Sequence, residues 1–295
     1  MKRVTLRHLG IFICVCDELG MTKAAVKLHM TQPSISQAIR ELEEHYGVLL
    51  FERLGKRLFI TEAGKRLLVY ARHVINLNVQ TEAAMRDFGK VYKLRIGASV
   101  TIGECVLLDL LQYIYKEKQE AQVFSEIHNT AELEDMLLRD ELDMALVEGK
   151  VKSEYLVEKS FMEDELVFIA APSYVTPIQA SVEGLKNMRF FLREAGSGTR
   201  KLFEQVMQKS EVQFHIAGVY NNSDGIKKVV EAGLGVSVIS KRVVAKELNE
   251  GKLVTFKISD MIFKRHFHIV YHKNKYISSE LRYMIDLCNR IDTIL

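Results

Sequence analysis

Apolar residues recur at steps of three and four through the first 50 residues, a pattern typical of amphipathic helices. It predicts one helix within residues 5–19, a short second helix over Thr22–Leu28, and a third helix that starts near Gln32. Thr31 suits the N-cap of the third helix, and Pro33 falls in its first turn, where a missing N–H costs nothing. The buried stripe of this third helix is predicted to be Ile35, Ala38, Ile39 and Leu42.

The outward face of the third helix is polar, and a pair of extended arms follows it. Short polar side chains at the start of a second, capped helix are typical of a helix-turn-helix that presents them to base edges in the major groove. Residues 49–60 read as two short arms around a glycine turn, rich in cations. Such a wing suits phosphate or minor-groove contact, although a solvated loop explains the cations alone equally well.

Specific residues of this module carry a family resemblance. They are Ala24, Ala25, Leu28, Gln32–Ser34, Ser36, Ile39, Leu42, Glu43, Gly47, Leu50–Arg53 and Thr61–Gly64. In these positions the chain resembles the winged helix-turn-helix of LysR-type transcriptional regulators. Met21 departs from that pattern, because the family usually has a serine there that caps the second helix. The residues expected to contact DNA are Thr31, Gln32, Pro33, Ser34, Ser36, Gln37, Arg40, Arg53, Lys56 and Arg57.

A heptad pattern continues from Thr61 without proline for more than three repeats. It predicts a long helix that pairs with a second copy of the chain, and hence a homodimer that reads a pseudo-palindromic operator. The alternative is an amphipathic helix that lies on the core of its own chain. The family resemblance favours the dimer, and also implies tetramers. The expected dimer contacts are Leu67, Tyr70, Val74, Leu77, Ala84 and Phe88.

Beyond Gly89 the pattern changes to short apolar strands that alternate with helices, which indicates a parallel α/β architecture. The predicted strands are Leu94–Ser99, Gln122–His128, Met144–Val147, Arg189–Arg193, Ile216–Tyr220 and Val236–Ile239, with helices at Glu104–Lys118, Thr130–Arg139, Thr199–Lys209 and Asp224–Ala232. Two further stretches, Glu165–Ala171 and Lys264–His272, are predicted to cross between two subdomains. This order resembles the periplasmic-binding-protein-like effector domain of the LysR family.

The fold class is therefore α/β, with a mainly helical DNA-binding module in front. We expect a winged helix-turn-helix at residues 1–60, a linker helix at 61–89 and an effector-binding domain at 90–295. Within the last, subdomain I covers about 90–163 and 266–295, and subdomain II covers about 164–265.

Ligands of open α/β sheets bind where strands end and helix N-termini supply N–H donors. Polar residues at such positions could bind an anionic effector in the cleft between the subdomains, but plain helix capping uses the same residue types. Arg200 could hold such an anion or pair with a carboxylate such as Glu194. The candidate effector residues are Ser99, Thr101, Asn129, Thr130, Ser197, Thr199, Asn222 and Ser223.

Charge is unevenly distributed, although the whole chain carries only +3. Residues 1–90 hold 14 Lys and Arg against 9 Asp and Glu, whereas the remainder holds 27 against 29. The positive excess is confined to the segment predicted to meet DNA.

The remaining motifs exclude several functions. The four cysteines have no metal-ligand spacing, the glycine turn at 196–198 fits neither nucleotide-binding motif, and no apolar run is long enough for a membrane span. Cys105 near a helix N-terminus could have a lowered thiol pKa, but no resolving cysteine is near it in the sequence. We therefore expect a cytoplasmic regulator without cofactor, metal or enzymatic activity. The alternative is a solute-binding or enzymatic protein with an incidental basic domain.

Overall fold

The computed structural model describes residues 4–54, 57–86, 93–174, 182–258 and 261–291. The chain divides into two compact units, each with its own hydrophobic core. The first unit comprises Met1–Lys90 with two short segments, Leu138–Asp140 and Asn274–Tyr276. The second unit comprises Val91–Leu137, Glu141–Lys273 and Ile277–Leu295.

The first unit contains the three helices that the apolar pattern predicts, followed by a hairpin and a long helix. These elements are α1 (Leu6–Asp17), α2 (Met21–Lys27), α3 (Gln32–Tyr46), β1 (Phe51–Leu54), β2 (Arg57–Ile60) and α4 (Glu62–Arg86). Their core is centred on Phe12, Val15, Ile35 and Leu42, all fully buried.

Local chemistry sets the ends of α2 and α3. The Thr31 hydroxyl accepts a hydrogen bond from the Ser34 backbone N–H at 3.3 Å, and α3 ends at Gly47, whose φ of +69° favours glycine. This confirms the predicted start of the third helix. In contrast, Gly20 precedes α2, and no side chain caps that helix. The N-cap position of α2 is thus Gly20, which has no side chain, and Met21 is the first residue of the helix.

The second unit alternates strands and helices as predicted, and β3, β4, β5, β7 and β11 begin and end within one residue of the predicted positions. Its elements are β3 (Lys93–Ser99), α5 (Val100–Cys105), α6 (Leu107–Glu117), β4 (Gln122–His128), α7 (Thr130–Leu138), β5 (Met144–Val147), β6 (Leu156–Ala170), α8 (Val182–Leu185), β7 (Arg189–Arg193), α9 (Gly198–Lys209), β8 (His215–Tyr220), α10 (Ser223–Glu231), β9 (Ser237–Ser240), α11 (Ala245–Asn249), β10 (Val254–Phe256), β11 (Lys264–His272) and α12 (Ser279–Ile291).

The strands form one large sheet and one small one. The order of the large sheet is β10-β6-β11-β5-β3-β4, with β9 also paired to β6, and β7 pairs with β8 in the second sheet. β3 runs parallel to both β4 and β5, so the carboxyl ends of these three strands lie at one edge.

The short elements α8, α11 and β10 were not predicted, and three longer elements also differ from the prediction. β6 begins at Leu156, nine residues before the predicted Glu165. The apolar pattern did not predict the first half of this strand because that half is largely polar and mostly only partly buried or exposed. The predicted helix Glu104–Lys118 is two helices that break at Val106, whose φ and ψ of −133° and −38° are not helical. Helix α12, which packs Met284 and Leu287 into the core, was not among the predicted elements.

The junction of the hairpin and α4 depends on a close backbone approach at Gly64. The Thr61 hydroxyl accepts from the Gly64 backbone N–H at 3.0 Å and donates to the Leu49 carbonyl oxygen at 2.7 Å. A Cβ at Gly64 would lie 2.3 Å from the Leu50 carbonyl oxygen and 2.6 Å from Ile60 Cγ1. Only glycine therefore fits this corner.

We expect Gly64→Ala to reduce the free energy of unfolding by about 1–3 kcal/mol, because the backbone must move to admit the methyl group. Gly10→Ala in α1 is the matched control: nothing lies within 4 Å of its Cβ position, so it should stabilise by about 0.5–1 kcal/mol. Urea denaturation followed by far-ultraviolet circular dichroism measures both. Equal destabilisation by the two variants would contradict this explanation.

Candidate functional site

The outer face of α3 is solvent-exposed and polar. Thr31, Gln32, Pro33, Ser34, Gln37 and Arg40 are exposed, Ser36 is half-buried, and the stripe of Ile35, Ala38, Ile39 and Leu42 is buried as predicted. The Thr31 and Ser34 hydroxyls lie 2.8 Å apart within the cap, and Gln37 Nε2 donates to Glu41 Oε1 at 2.9 Å.

The two extended arms form an antiparallel hairpin, in which Glu52 is opposite Phe59 and Leu54 is opposite Arg57. This is the predicted wing architecture. Lys56 lies outside the described residues, as do the side chains of Arg53 and Arg57.

Helix α4 has two apolar faces. Ala71 is buried in the core of the first unit, and Leu67 packs partly against that core. Tyr70 is half-buried, whereas Val74 and Leu77 on the heptad seam are 44% and 45% exposed. The helix therefore packs on its own chain while part of the seam stays open. Phe88 and the side chain of Ala84 lie outside the described residues.

Polar residues converge where β3, β4 and β5 end. Ser99 at the end of β3 is opposite His128 of β4, and Asn129 and Glu148 directly follow β4 and β5. A Cβ on Gly196 would lie 2.8 Å from Asn129 Oδ1, and one on Gly198 would lie 2.8 Å from Glu148 Cγ. The glycine turn before α9 is therefore seated against these strand ends, and its φ of +93° at Gly196 also favours glycine.

Two of the eight candidate effector residues are helix caps. Asn129 Oδ1 accepts from the Glu132 backbone N–H at 3.1 Å at the start of α7. Asn222 Oδ1 accepts from the Gly225 backbone N–H at 2.7 Å at the start of α10. For these two asparagines, capping accounts for the side chain.

Three other candidates are buried hydroxyls that do not cap. Ser99, Thr130 and Ser197 are each at least nine-tenths buried, and their hydroxyl oxygens have no hydrogen-bond partner among the described residues. Ser99 and Ser197 sit at N-cap positions of α5 and α9 without making the side-chain cap bond. A buried hydroxyl left unsatisfied costs about 1–3 kcal/mol, so these groups are available to a ligand.

The remaining candidates have other surroundings. Thr101 is buried within α5. The side chain and backbone of Ser223 hydrogen-bond the Glu104 carboxyl, which by itself lowers the pKa of Glu104. Burial of this carboxyl has the larger effect, so the pKa of Glu104 is raised. Thr199 Oγ1 accepts from Arg265 Nη1 at 3.0 Å, so its oxygen is already engaged.

A buried charged cluster underlies this region, and the sequence reasoning missed it. Arg265 Nε and Nη2 each lie 2.7 Å from Asp164 Oδ2, and Nη2 lies 3.2 Å from Glu148 Oε2. Ser240 Oγ donates to Asp164 Oδ1 at 2.7 Å. Glu148 follows β5 directly, so the strand-end rule that selected Ser99 would also have selected it.

Arg200 has a structural role. Its Nε donates to Glu204 Oε1 at 2.7 Å and its Nη1 to the Arg193 carbonyl oxygen at 3.3 Å. The carboxylate that pairs with Arg200 is Glu204, whereas Glu194, the example named from the sequence, pairs with Arg193 at 2.8 Å.

The structure gives no support for a lowered thiol pKa at Cys105. Cys105 is the last residue of α5, and burial together with the charge of Asp164 raises its pKa to about 12. Within the described ranges no group of three His, Cys, Asp or Glu side chains could hold a metal ion, and no helix is long and apolar enough to cross a membrane.

Family models match both units. The LysR substrate binding domain matches residues 89–291, and the model of bacterial regulatory helix-turn-helix proteins of the lysR family matches residues 6–65. The Escherichia coli (strain K12) protein described as an uncharacterized HTH-type transcriptional regulator, YeiE, is 31% identical over 289 residues, 97% of each chain.

Solved structures share the fold. Full-length LysG of Corynebacterium glutamicum, with bound effector Arg, has a TM-score of 0.70 at 16% identity over 99% of both chains. The regulatory domain of Synechocystis PCC6803 CcmR in complex with 2-PG has a TM-score of 0.62 at 21% identity, and the match covers 68% of this chain and 96% of that one.

These matches decide between the two functions that the sequence left open. The basic helical module is not incidental, because its own family model is that of a DNA-binding regulator, and the alternative of a solute-binding or enzymatic protein is wrong. The chain belongs to the LysR family of DNA-binding transcriptional regulators and is not an enzyme.

Proposed function

We propose that this regulator binds a pseudo-palindromic operator as a homodimer, through the outer face of α3 and the wing, and that a small anion held in the second unit modulates this binding. The observation that carries the sensor half is the set of buried, unpartnered hydroxyls on Ser99, Thr130 and Ser197. For the DNA-binding half it is the exposed polar face of α3 on the unit that carries the positive excess.

Anion binding follows from the chemistry of the strand ends. Each of the three hydroxyls can donate a hydrogen bond to an oxyanion. The N-terminus of α9, a helix of 12 residues with no acidic side chain in its first turn, begins directly after Ser197 and adds partial positive charge. An oxyanion here would satisfy groups that the protein alone leaves unsatisfied.

Coupling needs two arrangements with different affinities for the ligand. Ser99 and Thr130 follow β3 and β4, whereas Ser197 precedes α9, beyond the crossing strand β6. A ligand bound to Ser197 and also to Ser99 and Thr130 would favour one arrangement of the two subdomains. The regulator's preference among its DNA-bound states would shift by the same free energy.

The α3 face is tested by Gln32→Ala. We expect the ratio of operator to random-DNA affinity to fall roughly 5- to 160-fold, since a base contact contributes about 1–3 kcal/mol of discrimination. Fluorescence anisotropy with an operator selected from a random oligonucleotide library measures the ratio, and both affinities should fall steeply with salt. Gln205→Ala, an exposed glutamine of α9, is the control. If neither Gln32→Ala nor Ser36→Ala changed the ratio, α3 would not be the reader.

The heptad seam is tested by Leu77→Glu. We expect subunit association to weaken at least about tenfold, because an unpaired carboxylate buried in the seam costs several kcal/mol. Val79→Glu is the matched control, since Val79 is 54% exposed on the same helix but lies off the seam. Sedimentation velocity reports the assembly mass. An unchanged mass for Leu77→Glu, or equal dissociation of both variants, would refute the proposal that the heptad seam of α4 forms the subunit contact.

The effector site is tested by thermal-shift screening of small anions and carboxylates. A ligand that binds the native state raises the melting temperature with its concentration. We expect this rise to disappear in the double variant Ser99→Ala, Ser197→Ala and to persist in Ser125→Ala, an exposed serine of β4. A hit that kept its full effect in the double variant would place the site elsewhere.

A further inference from the structure

The strand-end site contains more buried negative than positive charge. The side chains of Glu148 and Asp164 are 1% and 0% exposed, and Arg265, which contacts both, is 6% exposed. Two carboxylates thus share one guanidinium away from water. Burial makes such an imbalance costly unless a cation or a hydrogen-bond donor stabilises the carboxylates.

Hydrogen bonding separates the two carboxylates. Asp164 is well satisfied, because it accepts from Arg265 Nε and from the Ser240 hydroxyl, each at 2.7 Å. Glu148 Oε2 lies 3.2 Å from Arg265 Nη2, but it makes no hydrogen bond within the described part of the chain. Arg265 Nη2 is likewise without a hydrogen bond there, so Glu148 offers a buried acceptor that is ion-paired but has no hydrogen-bond donor.

This acceptor lies beside the unpartnered hydroxyls. Glu148 Cγ packs where a Cβ of Gly198 would be, next to Ser197, and Glu148 directly follows β5, whose neighbour β3 ends at Ser99. A ligand that reaches the hydroxyls would therefore also meet Glu148. Its oxygens would accept from the hydroxyls, but a fully ionised oxygen turned toward Glu148 would bring two like charges together with no proton between them.

We propose, as a refinement that rests on the proposed effector site, that Glu148 makes this site selective for small oxyanions that retain a proton at neutral pH. The O–H group of such an anion donates to Glu148 Oε2, while its other oxygens accept from the hydroxyls of Ser99, Thr130 and Ser197. Phosphate, sulfite and bicarbonate carry such a proton near neutral pH, and sulfate and nitrate do not. Charge and hydrogen bonding, more than size, then decide which anion is accepted.

The test compares anions of similar size on the full chain at one neutral pH and constant ionic strength. Thermal shift and isothermal titration calorimetry with phosphate, sulfite and sulfate should show binding of at least one protonated anion, at least tenfold tighter than sulfate. This comparison uses the wild-type protein, so it does not depend on how any variant folds.

A variant isolates the role of Glu148. In Glu148→Gln the side-chain amide can donate to a fully ionised oxygen, so sulfate affinity should rise and the preference should fall at least tenfold. Glu126→Gln, an exposed glutamate of β4, is the matched control and should keep the wild-type preference. Retained selectivity in Glu148→Gln would overturn the assignment to this residue.

The remaining outcomes separate this inference from the proposed function. Sulfate binding as tight as that of phosphate and sulfite, if abolished by the Ser99 and Ser197 double variant, would overturn the selectivity and leave the effector site standing. Failure of all three anions to bind would also overturn the inference. The effector site itself would fail only if the hits of the wider screen kept their effect in the double variant.

Discussion

The antiparallel pairing of β6 with β11 is the constraint on which the second unit depends. β11 pairs with β6 from Lys264 opposite Glu165 to His272 opposite Leu156, with a register shift between Phe267 and His268. Beyond this ladder, the second half of β6 also pairs with β9 and β10, and β11 also pairs with β5. These two strands therefore connect both halves of the unit through continuous backbone hydrogen bonds.

The buried ion pair of Asp164 and Arg265 is a cross-strand pair of this ladder. It lies where the sequence predicts the two subdomains to meet, between residues 163 and 164 and between residues 265 and 266. Arg265 also contacts Thr199 in α9 and Glu148 after β5, so one guanidinium links elements from both halves. A residue that contacts three buried groups is better suited to holding these elements together than to holding a ligand alone.

The same residue types serve two purposes at the helix N-termini. Asn129 and Asn222 cap α7 and α10, whereas Ser99 and Ser197 occupy cap positions and leave their hydroxyls unused. Capping and ligand binding draw on the same polar residue types, and the position of the side-chain oxygen relative to the backbone N–H distinguishes the two roles. In the first unit, α4 combines roles in a similar way, with Ala71 in the core and Val74 exposed.

The local pattern of the sequence was sufficient for most elements and for the exposed polar face of α3. Thr31, Pro33 and the stripe from Ile35 to Leu42 act within a few residues of one another, so spacing alone predicts α3 and its outer surface. Elements set by distant contacts were less predictable: the first half of β6 is polar, and the break at Val106 interrupts an apolar run. The partners of Arg265 could be found only in the folded chain. Glu148, Asp164 and Thr199 are brought together by the register of the sheet and by the packing of the glycine turn against the strand ends. Residue type suggested which polar groups could bind an effector, but tertiary structure decided which of them remain unsatisfied, since each hydrogen bond consumes a donor or acceptor wherever its partner lies in the sequence.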